Sequence, residues 1–247
     1  MHVVGQFSNT GRIIIDDAQN LVIVHPDHLV SATAVADSFD CLRKAVLQDR
    51  IKATSQTSKP TVYGSILHEV FQIAMRQNKW GSEYLDQLVE EIVVRYVEGL
   101  FEAGAQNTNE AFEELKAKMP ELQSWANAFV SAVPSAQAED RNGKKIRIGV
   151  SKLLDVEEHV WSPTYGLKGN IDATVEVVME DDQGLRTLTV PFEVKTGKYQ
   201  SASHRAQTAL YTLLLSDRYD IDIVYGILYY MDTVSYTHLT LPTKRIV

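Results

Sequence analysis

The stretch Phe192-Glu193-Val194-Lys195-Thr196-Gly197-Lys198 places a carboxylate and a lysine two residues apart within an apolar, strand-like run. Because side chains alternate between the two faces of a strand, Glu193 and Lys195 point to the same side, roughly 7 Å apart along the backbone. A carboxylate that can hold a metal ion, beside a lysine that can act on water, is typical of metal-dependent phosphodiester chemistry. Short acid-x-lysine strings also occur by chance, so this interpretation depends on companions elsewhere in the chain.

The first companion is Asp172. Residues 167–178 read as a strand, and alternation puts Asp172 on its polar face with Lys168, Asn170, Thr174 and Glu176. The string Asp181-Asp182-Gln183-Gly184 predicts a hairpin turn between this strand and the one that carries Glu193. Two carboxylates and one lysine would then converge, and oxygen ligands of this kind suit Mg²⁺ or Mn²⁺. The alternative for Asp172 is an ordinary surface acid.

A second companion is the string Gly64-Ser65-Ile66-Leu67-His68-Glu69. On a helix, Gly64 and His68 lie one turn apart on the same face, and a glycine there permits close approach of another backbone or of a ligand. His68 is either a nitrogen ligand for the metal or a satisfied core histidine. Glu69 points about a quarter-turn away, so it could join a metal only through water.

The third companion is the helix predicted over residues 203–216, with Ser203 as a possible cap. Three-to-four spacing places His204, Gln207 and Tyr211 on one face. A helix that directly follows the strand of Glu193 is well placed to orient Lys195 or to hold a substrate phosphate. The alternative is an amphipathic surface helix.

Composition sets outer limits on the class of protein. The 247 residues are 45% hydrophobic and 23% charged, as in ordinary globular proteins, and no apolar run approaches the ~20 residues that span a bilayer. One cysteine excludes an internal disulfide framework. The net charge of −8 argues mildly against a nucleic-acid partner, although a metal-dependent nuclease also gathers acids.

The hydrophobic pattern predicts a mixed α/β fold. Short strands are expected within residues 3–24, at Arg12–Ile15 and Leu21–Val24, and a strand is expected again over 223–231. Helices are predicted over 31–49, 61–78, 81–103 and 109–133, the last interrupted at Pro120. Strands are predicted over 145–150, 153–160, 167–178 and 185–195.

The four motifs, in this order, resemble the RecB-like branch of the PD-(D/E)XK nucleases. A longer set of segments is similar to the nuclease domain of the eukaryotic DNA replication helicase–nucleases, and it covers the chain from Leu29 to about Tyr230. The segments that carry this likeness are Leu29–Ala34, Cys41–Leu47, Tyr63–Gln72, Gly169–Ala173, Phe192–Lys198, His204–Gln207 and Leu210–Leu214. The resemblance implies a restriction-endonuclease-like core, a mixed central sheet flanked by helices, with an N-terminal β-segment and a helical insertion.

The resemblance also implies roles for individual residues. His68, Asp172, Glu193 and the Val194 carbonyl would bind Mg²⁺ or Mn²⁺, and Lys195 would orient or deprotonate the attacking water. The residues that would support the site or contact DNA are Gln207, Tyr211, Glu69 and Lys198.

Cys41 matches the first of four cysteines that hold an iron–sulfur cluster in that family. The chain has no other cysteine, so a [4Fe–4S] cluster is expected only in a complete protein that carries the three missing ligands. The resemblance further implies single-stranded or flap DNA as substrate, a single-strand-binding protein as partner, no membrane, and a nuclear location, with the mitochondrion as a second one.

The domain organisation follows from these observations. Residues 1–29 are interpreted as the end of a β-module, 30–235 as a nuclease domain incomplete at its C-terminus, and 236–247 as a non-native tail. The expected function is cleavage of single-stranded DNA or 5′ flaps in replication and repair, as the nuclease part of an ATP-dependent helicase–nuclease. The alternatives are a stand-alone RecB-like exonuclease and a catalytically inactive DNA-binding or scaffold module.

Overall fold

The structure is a computed structural model of the chain, and it describes residues 1–51, 57–140, 143–182, 184–197, 199–231 and 237–240. None of the described helices combines the length and the apolar character needed to cross a bilayer. In chain order, the elements are β1 (His2–Val4), β2 (Leu21–Ile23), β3 (Val30–Ser31), α1 (Ala32–Ile51), α2 (Lys59–Gln77), α3 (Ser82–Arg95), α4 (Val97–Glu102), α5 (Thr108–Lys116), α6 (Met119–Phe129), β4 (Ala136–Asp140), β5 (Lys145–Ser162), β6 (Leu167–Asp181), β7 (Gly184–Lys195), α7 (Ala202–Tyr219), β8 (Gly226–Tyr230) and β9 (Thr237–Thr240).

The described strands form a seven-stranded mixed sheet and a separate two-stranded sheet of β1 and β2. Strands β5, β6 and β7 make an antiparallel meander, and β7 continues into a parallel pair with β8. The β6–β7 hairpin closes with Asp181 opposite Gly184, whose φ of +99° suits glycine alone. This hairpin and the mixed α/β class confirm the sequence prediction.

Helices cover the sheet on two sides and enclose two hydrophobic clusters. The larger cluster joins α2 to α6 with the meander, and its centre is aromatic: Phe71 stacks on Phe192 with ring centroids 5.3 Å apart, and Trp125 stacks on Tyr229 at 4.9 Å. The smaller cluster joins α1 and α7 to the far end of β5 and β6. The candidate site residues lie between these two layers of helices.

Several predicted elements differ in their limits. The helix predicted over 81–103 divides at Tyr96, whose N–H is shared between the carbonyls of Ile92 and Val93, as happens where a helix tightens at its end. The predicted interruption at Pro120 is confirmed, because proline lacks the N–H needed to continue a helix and lies in the first turn of α6. The cap of α7 is Ser201 rather than Ser203, since the Ser201 hydroxyl accepts a hydrogen bond from the Ser203 N–H.

The strands also depart from prediction. The two strands expected within 145–160 form one, because two bulges in its pairing with β6 absorb the irregular residues without a loop. Arg12–Ile15 is not a strand, and the Ile14 carbonyl instead accepts from the Asn20 side chain. Strand β4 was not predicted. Strand β9 falls within the segment interpreted as a non-native tail, and it pairs with β8 and β4.

Candidate active site

The site lies where two neighbouring strands separate. β6 and β7 pair as far as Ala173 and Phe192, and the next residues towards the open end are Asp172 and Glu193. The Val194 N–H donates to Asp172 Oδ2 at 2.7 Å, so a side chain replaces the backbone partner that the ladder no longer supplies. The two predicted carboxylates therefore meet at a break in the sheet.

A hydrogen-bonded network fixes Glu193 and Lys195. Lys195 Nζ donates to Glu193 Oε1 at 2.7 Å and to Gln207 Oε1 at 2.9 Å. Gln207 Nε2 donates to the same Glu193 oxygen at 2.9 Å and to the Tyr211 hydroxyl at 2.8 Å. Strand β7 thus supplies the acid and the lysine, and α7 supplies the amide that holds them.

His68 comes to the same place from α2. Its Nδ1 lies 3.3 Å from Asp172 Oδ1, and its side chain is 27% exposed. Gly64, one turn earlier, allows this approach, because a Cβ there would stand 3.1 Å from Thr196 Oγ1 at the end of β7. The structure therefore brings together His68, Asp172, Glu193, Lys195, Gln207 and Tyr211.

The electrostatics of the site follow from burial and from mutual charge. Burial raises the pKa of Glu193 to about 7, and the nearby Asp172 charge adds to the rise. Burial alone would lower the pKa of His68, but the hydrogen bond and charge of Asp172 outweigh it and the pKa is raised. Burial also raises the pKa of Tyr211 above its usual range, so this phenol stays neutral.

The donor chemistry fits a hard divalent cation. Two carboxylates and an imidazole converge, and Glu193 Oε2 is buried without a hydrogen-bond partner among the described residues. A buried carboxylate oxygen without a partner is costly, and a cation would satisfy it. Within the described part of the chain, however, no three His, Cys, Asp or Glu side chains are already gathered as a metal-binding group. Both Asp172 oxygens are engaged, by His68 and by the Val194 N–H.

Three predicted residues lie apart from this network. Glu69 forms an ion pair with Arg95 of α3. Lys198 lies outside the described residues. Cys41 is an exposed free thiol at a kink in α1, where its own backbone leaves the helical region (φ −160°, ψ 105°).

Sequence reasoning missed Glu157. This residue has a left-handed backbone, with φ +52°, within β5 and beyond the two bulges of that strand. Its carboxylate accepts from Gln72, one turn after His68 on α2, and from Asn170, two residues before Asp172 on β6. It therefore ties together the two elements that carry His68 and Asp172. No motif marks it, because its importance comes from a backbone conformation that only the folded chain reveals.

Two cavities open on either side of the network. The first, of about 940 Å³, runs along α2 past His68 to Arg76 and Arg95. The second, of about 650 Å³, is bounded by Asp172, Glu193 and the tip of the β5–β6 hairpin. Neither cavity is predicted by a sequence motif, because both depend on how the helices pack against the sheet.

Comparison with known proteins identifies the family of the chain. The sequence profile of the family described as DNA replication factor Dna2 matches residues 1–177. The chain belongs to this family. The segment that matches the Dna2 profile includes Gly64, His68 and Asp172, and it ends before Glu193 and Lys195.

Curated relatives extend the similarity over the rest of the chain. The DNA replication ATP-dependent helicase/nuclease dna2 of Schizosaccharomyces pombe is 40% identical over 248 residues, which cover 100% of this chain and 17% of that protein. The human and Saccharomyces cerevisiae proteins of the same name are 33% and 32% identical, over 89% and 93% of this chain and 22% and 16% of their own lengths. The chain thus spans about a fifth of the length of these Dna2 relatives.

Proposed function

We propose that this chain is a metal-dependent DNA nuclease acting in replication and repair, the nuclease part of a helicase–nuclease. The observation that carries the proposal is the convergence of Asp172, Glu193 and Lys195 where β6 and β7 separate, with one buried Glu193 oxygen lacking a partner among the described residues. The names of the Dna2 relatives, which include both helicase and nuclease, support the same function.

The carboxylates of Asp172 and Glu193, with His68 and the Val194 carbonyl, would hold Mg²⁺ or Mn²⁺. When bound, such an ion polarises the scissile phosphate and lowers the pKa of a bound water. The role of the surrounding protein is to keep these donors in place, since much of catalysis in such a site comes from preorganised charge.

Lys195 is the residue that we assign to the attacking water. Its ammonium carries three N–H donors, and two are directed to Glu193 and Gln207. The third remains for a water or a phosphate oxygen. Gln207 is itself held by the buried Tyr211, so α7 sets the direction of the lysine.

Cleavage of labelled single-stranded and 5′-flap DNA tests the proposal. Wild-type protein should cut in Mg²⁺ and not in EDTA, and Asp172→Ala, Glu193→Ala or Lys195→Ala should reduce cutting at least about 100-fold. Glu180→Ala is the matched control, because this carboxylate lies on β6 but in a surface ion pair with Arg147. Undiminished cutting by Glu193→Ala would refute the assignment. Binding of DNA without Mg²⁺-dependent cutting would favour the inactive scaffold instead.

Further features are proposed for a longer protein that would include this chain. We propose that it carries a helicase motor, acts in the nucleus with a single-strand-binding protein, and uses Cys41 as one of four ligands of a [4Fe–4S] cluster. The supporting observations are the Dna2 family membership and the exposed position of Cys41. The transcript downstream of codon 235 tests this: three further cysteine codons and a phosphate-binding loop are expected, and their absence would favour a stand-alone exonuclease.

A further inference from the structure

The tip of the β5–β6 hairpin carries a set of exposed side chains that the proposed catalytic network does not use. His159 stands opposite Asn170 and Trp161 opposite Lys168 in the register of the two strands. All four are exposed, while Val160, between His159 and Trp161, and Leu167, next to Lys168, are buried. The exposed set therefore forms one surface of the hairpin, and all four residues line the cavity of about 650 Å³ that reaches Asp172 and Glu193.

Trp161 is the most exposed of the three tryptophans of the chain. Its side chain is 50% exposed, whereas Trp125 is buried and Trp80 is partly buried. The Arg218 guanidinium of α7 lies 5.4 Å from the centre of the Trp161 ring. An exposed indole beside an arginine is a surface on which a planar base can stack.

The local charge also differs from that of the whole chain. Lys168 and Arg218 place two cations around Trp161, in a protein whose net charge is −8. Within the described residues, Lys168 is exposed and takes part in no ion pair, so its charge is available for a phosphate. A surface that combines a stacking ring with free positive charge favours a single-stranded polynucleotide over a peptide or an apolar ligand.

The distance to the catalytic network suits such a strand. Lys168 lies four residues before Asp172 on β6, which corresponds to ~13 Å at the usual strand rise. Stacked nucleotides advance ~3.4 Å each along a strand, so this span holds about four stacked nucleotides or fewer extended ones. The cavity is continuous from Trp161 to Asp172.

We infer that Trp161, Lys168 and Arg218 form a subsite for single-stranded DNA, in which an unpaired base stacks on Trp161 two to four nucleotides from the cleaved bond. This inference rests on the proposed nuclease function and adds the place where the substrate strand is held. Trp161 is a binding residue here, and it takes no part in the bond cleavage itself.

Tryptophan fluorescence during titration with a dT oligonucleotide tests the stacking directly. The titrations use a Lys195→Ala background in Mg²⁺, so that the bound oligonucleotide stays intact. DNA should quench the emission, and Trp161→Phe should remove the quench while affinity changes less than about threefold. Trp161→Ala should weaken binding by roughly 5- to 150-fold, the range that base–aromatic stacking supports. Phe101→Ala, a similarly exposed aromatic on α4, should leave affinity unchanged.

A scan with abasic substrates locates the stacked base. Wild-type affinity should fall when one position, two to four nucleotides from the cleaved bond, is abasic, and the same change should have little effect on Trp161→Ala. An absence of binding, an unquenched emission or an unaffected Trp161→Ala affinity would overturn the subsite. Cutting is measured with Lys195 intact. If wild type cuts DNA and Trp161→Ala binds and cuts equally well, the subsite fails and the proposed nuclease function stands. If DNA binds through Trp161 but is never cut, the subsite stands and the proposed nuclease function fails.

Discussion

Glu193 is a buried carboxylate whose charged form is disfavoured by its surroundings. Its side chain is 4% exposed, and only one of its two oxygens accepts hydrogen bonds from the described residues. Lys195 offsets part of this cost, but burial and Asp172 still raise the pKa of Glu193 to about 7. The residue therefore keeps a proton in the metal-free fold at pH values where the unfolded chain has already lost it.

This shift predicts how stability depends on pH without metal. Between about pH 4.5 and 7 the folded state binds more protons at Glu193 than the unfolded state does, so the group stabilises the fold at low pH and that contribution is lost as pH rises. The Tm of Glu193→Gln minus the Tm of wild type, both measured in EDTA, should therefore increase from pH 5 to pH 8. A difference that stays constant with pH would show that Glu193 titrates normally.

Among the helices and strands, α7 and β6 approach closely because of one glycine. A Cβ at Gly169 would lie 2.7 Å from Tyr211 Cε1 and 3.1 Å from Leu214 Cδ1. Tyr211 in turn holds Gln207, which holds Lys195 and Glu193. The packing of a helix on a strand thus sets the position of groups two hydrogen bonds away.

Gly169→Ala should disturb both stability and cleavage. Overpacking of this kind destabilises a fold by about 1–3 kcal/mol. In a chain of this size, each kcal/mol lowers Tm by ~2–4 °C. Cleavage should fall as well, because the Tyr211–Gln207 pair would move. Gly99→Ala in α4 is the control: its Cβ would meet Val62 at an ordinary 3.6 Å, and alanine favours a helix over glycine. Equal thermal stability of the two variants would contradict this account of α7.

Elements that are marked by a strong local sequence signal, such as a turn string or a proline, could be predicted from the sequence. The β6–β7 hairpin has a turn string between two alternating runs, and α6 carries a proline in its first turn. The break at Tyr96 and the bulges of β5 carry no comparable signal, because they arise from packing and from strand pairing. Glu157 also escaped prediction, because no residue pattern marks the left-handed backbone that it adopts within β5.

In the molecule as a whole, the N-terminal segment stands apart. β1 and β2 pair only with each other among the described strands. Neither hydrophobic cluster contains a described residue before Ala32, and the first tie to the main sheet is the Val30 N–H bonded to the Gly166 carbonyl. This agrees with a division of the chain near residue 29, which remains a prediction.

Deletion of residues 1–24 tests that division. Because the deleted part contributes nothing to either hydrophobic cluster of the described residues, the unfolding free energy should change by less than about 1 kcal/mol, or ~2–4 °C in Tm. Circular dichroism and thermal melts of the shortened and full chains provide the measurement. A loss of cooperative unfolding would mean that the segment is part of the same folding unit.

Local features of the chain specify the residue types of the site and most of the strands and helices that bear them. Side-chain alternation and helical spacing depend on near neighbours in the chain, so the order of residues is enough to single out Asp172, Glu193, Lys195, His68 and Gln207 as candidates. The meeting of these residues depends instead on the folded chain, through the separation of β6 from β7 and the approach of α2 and α7. The burial of charges and the position of the cavities likewise arise only on folding, since both require contacts between residues far apart in the chain.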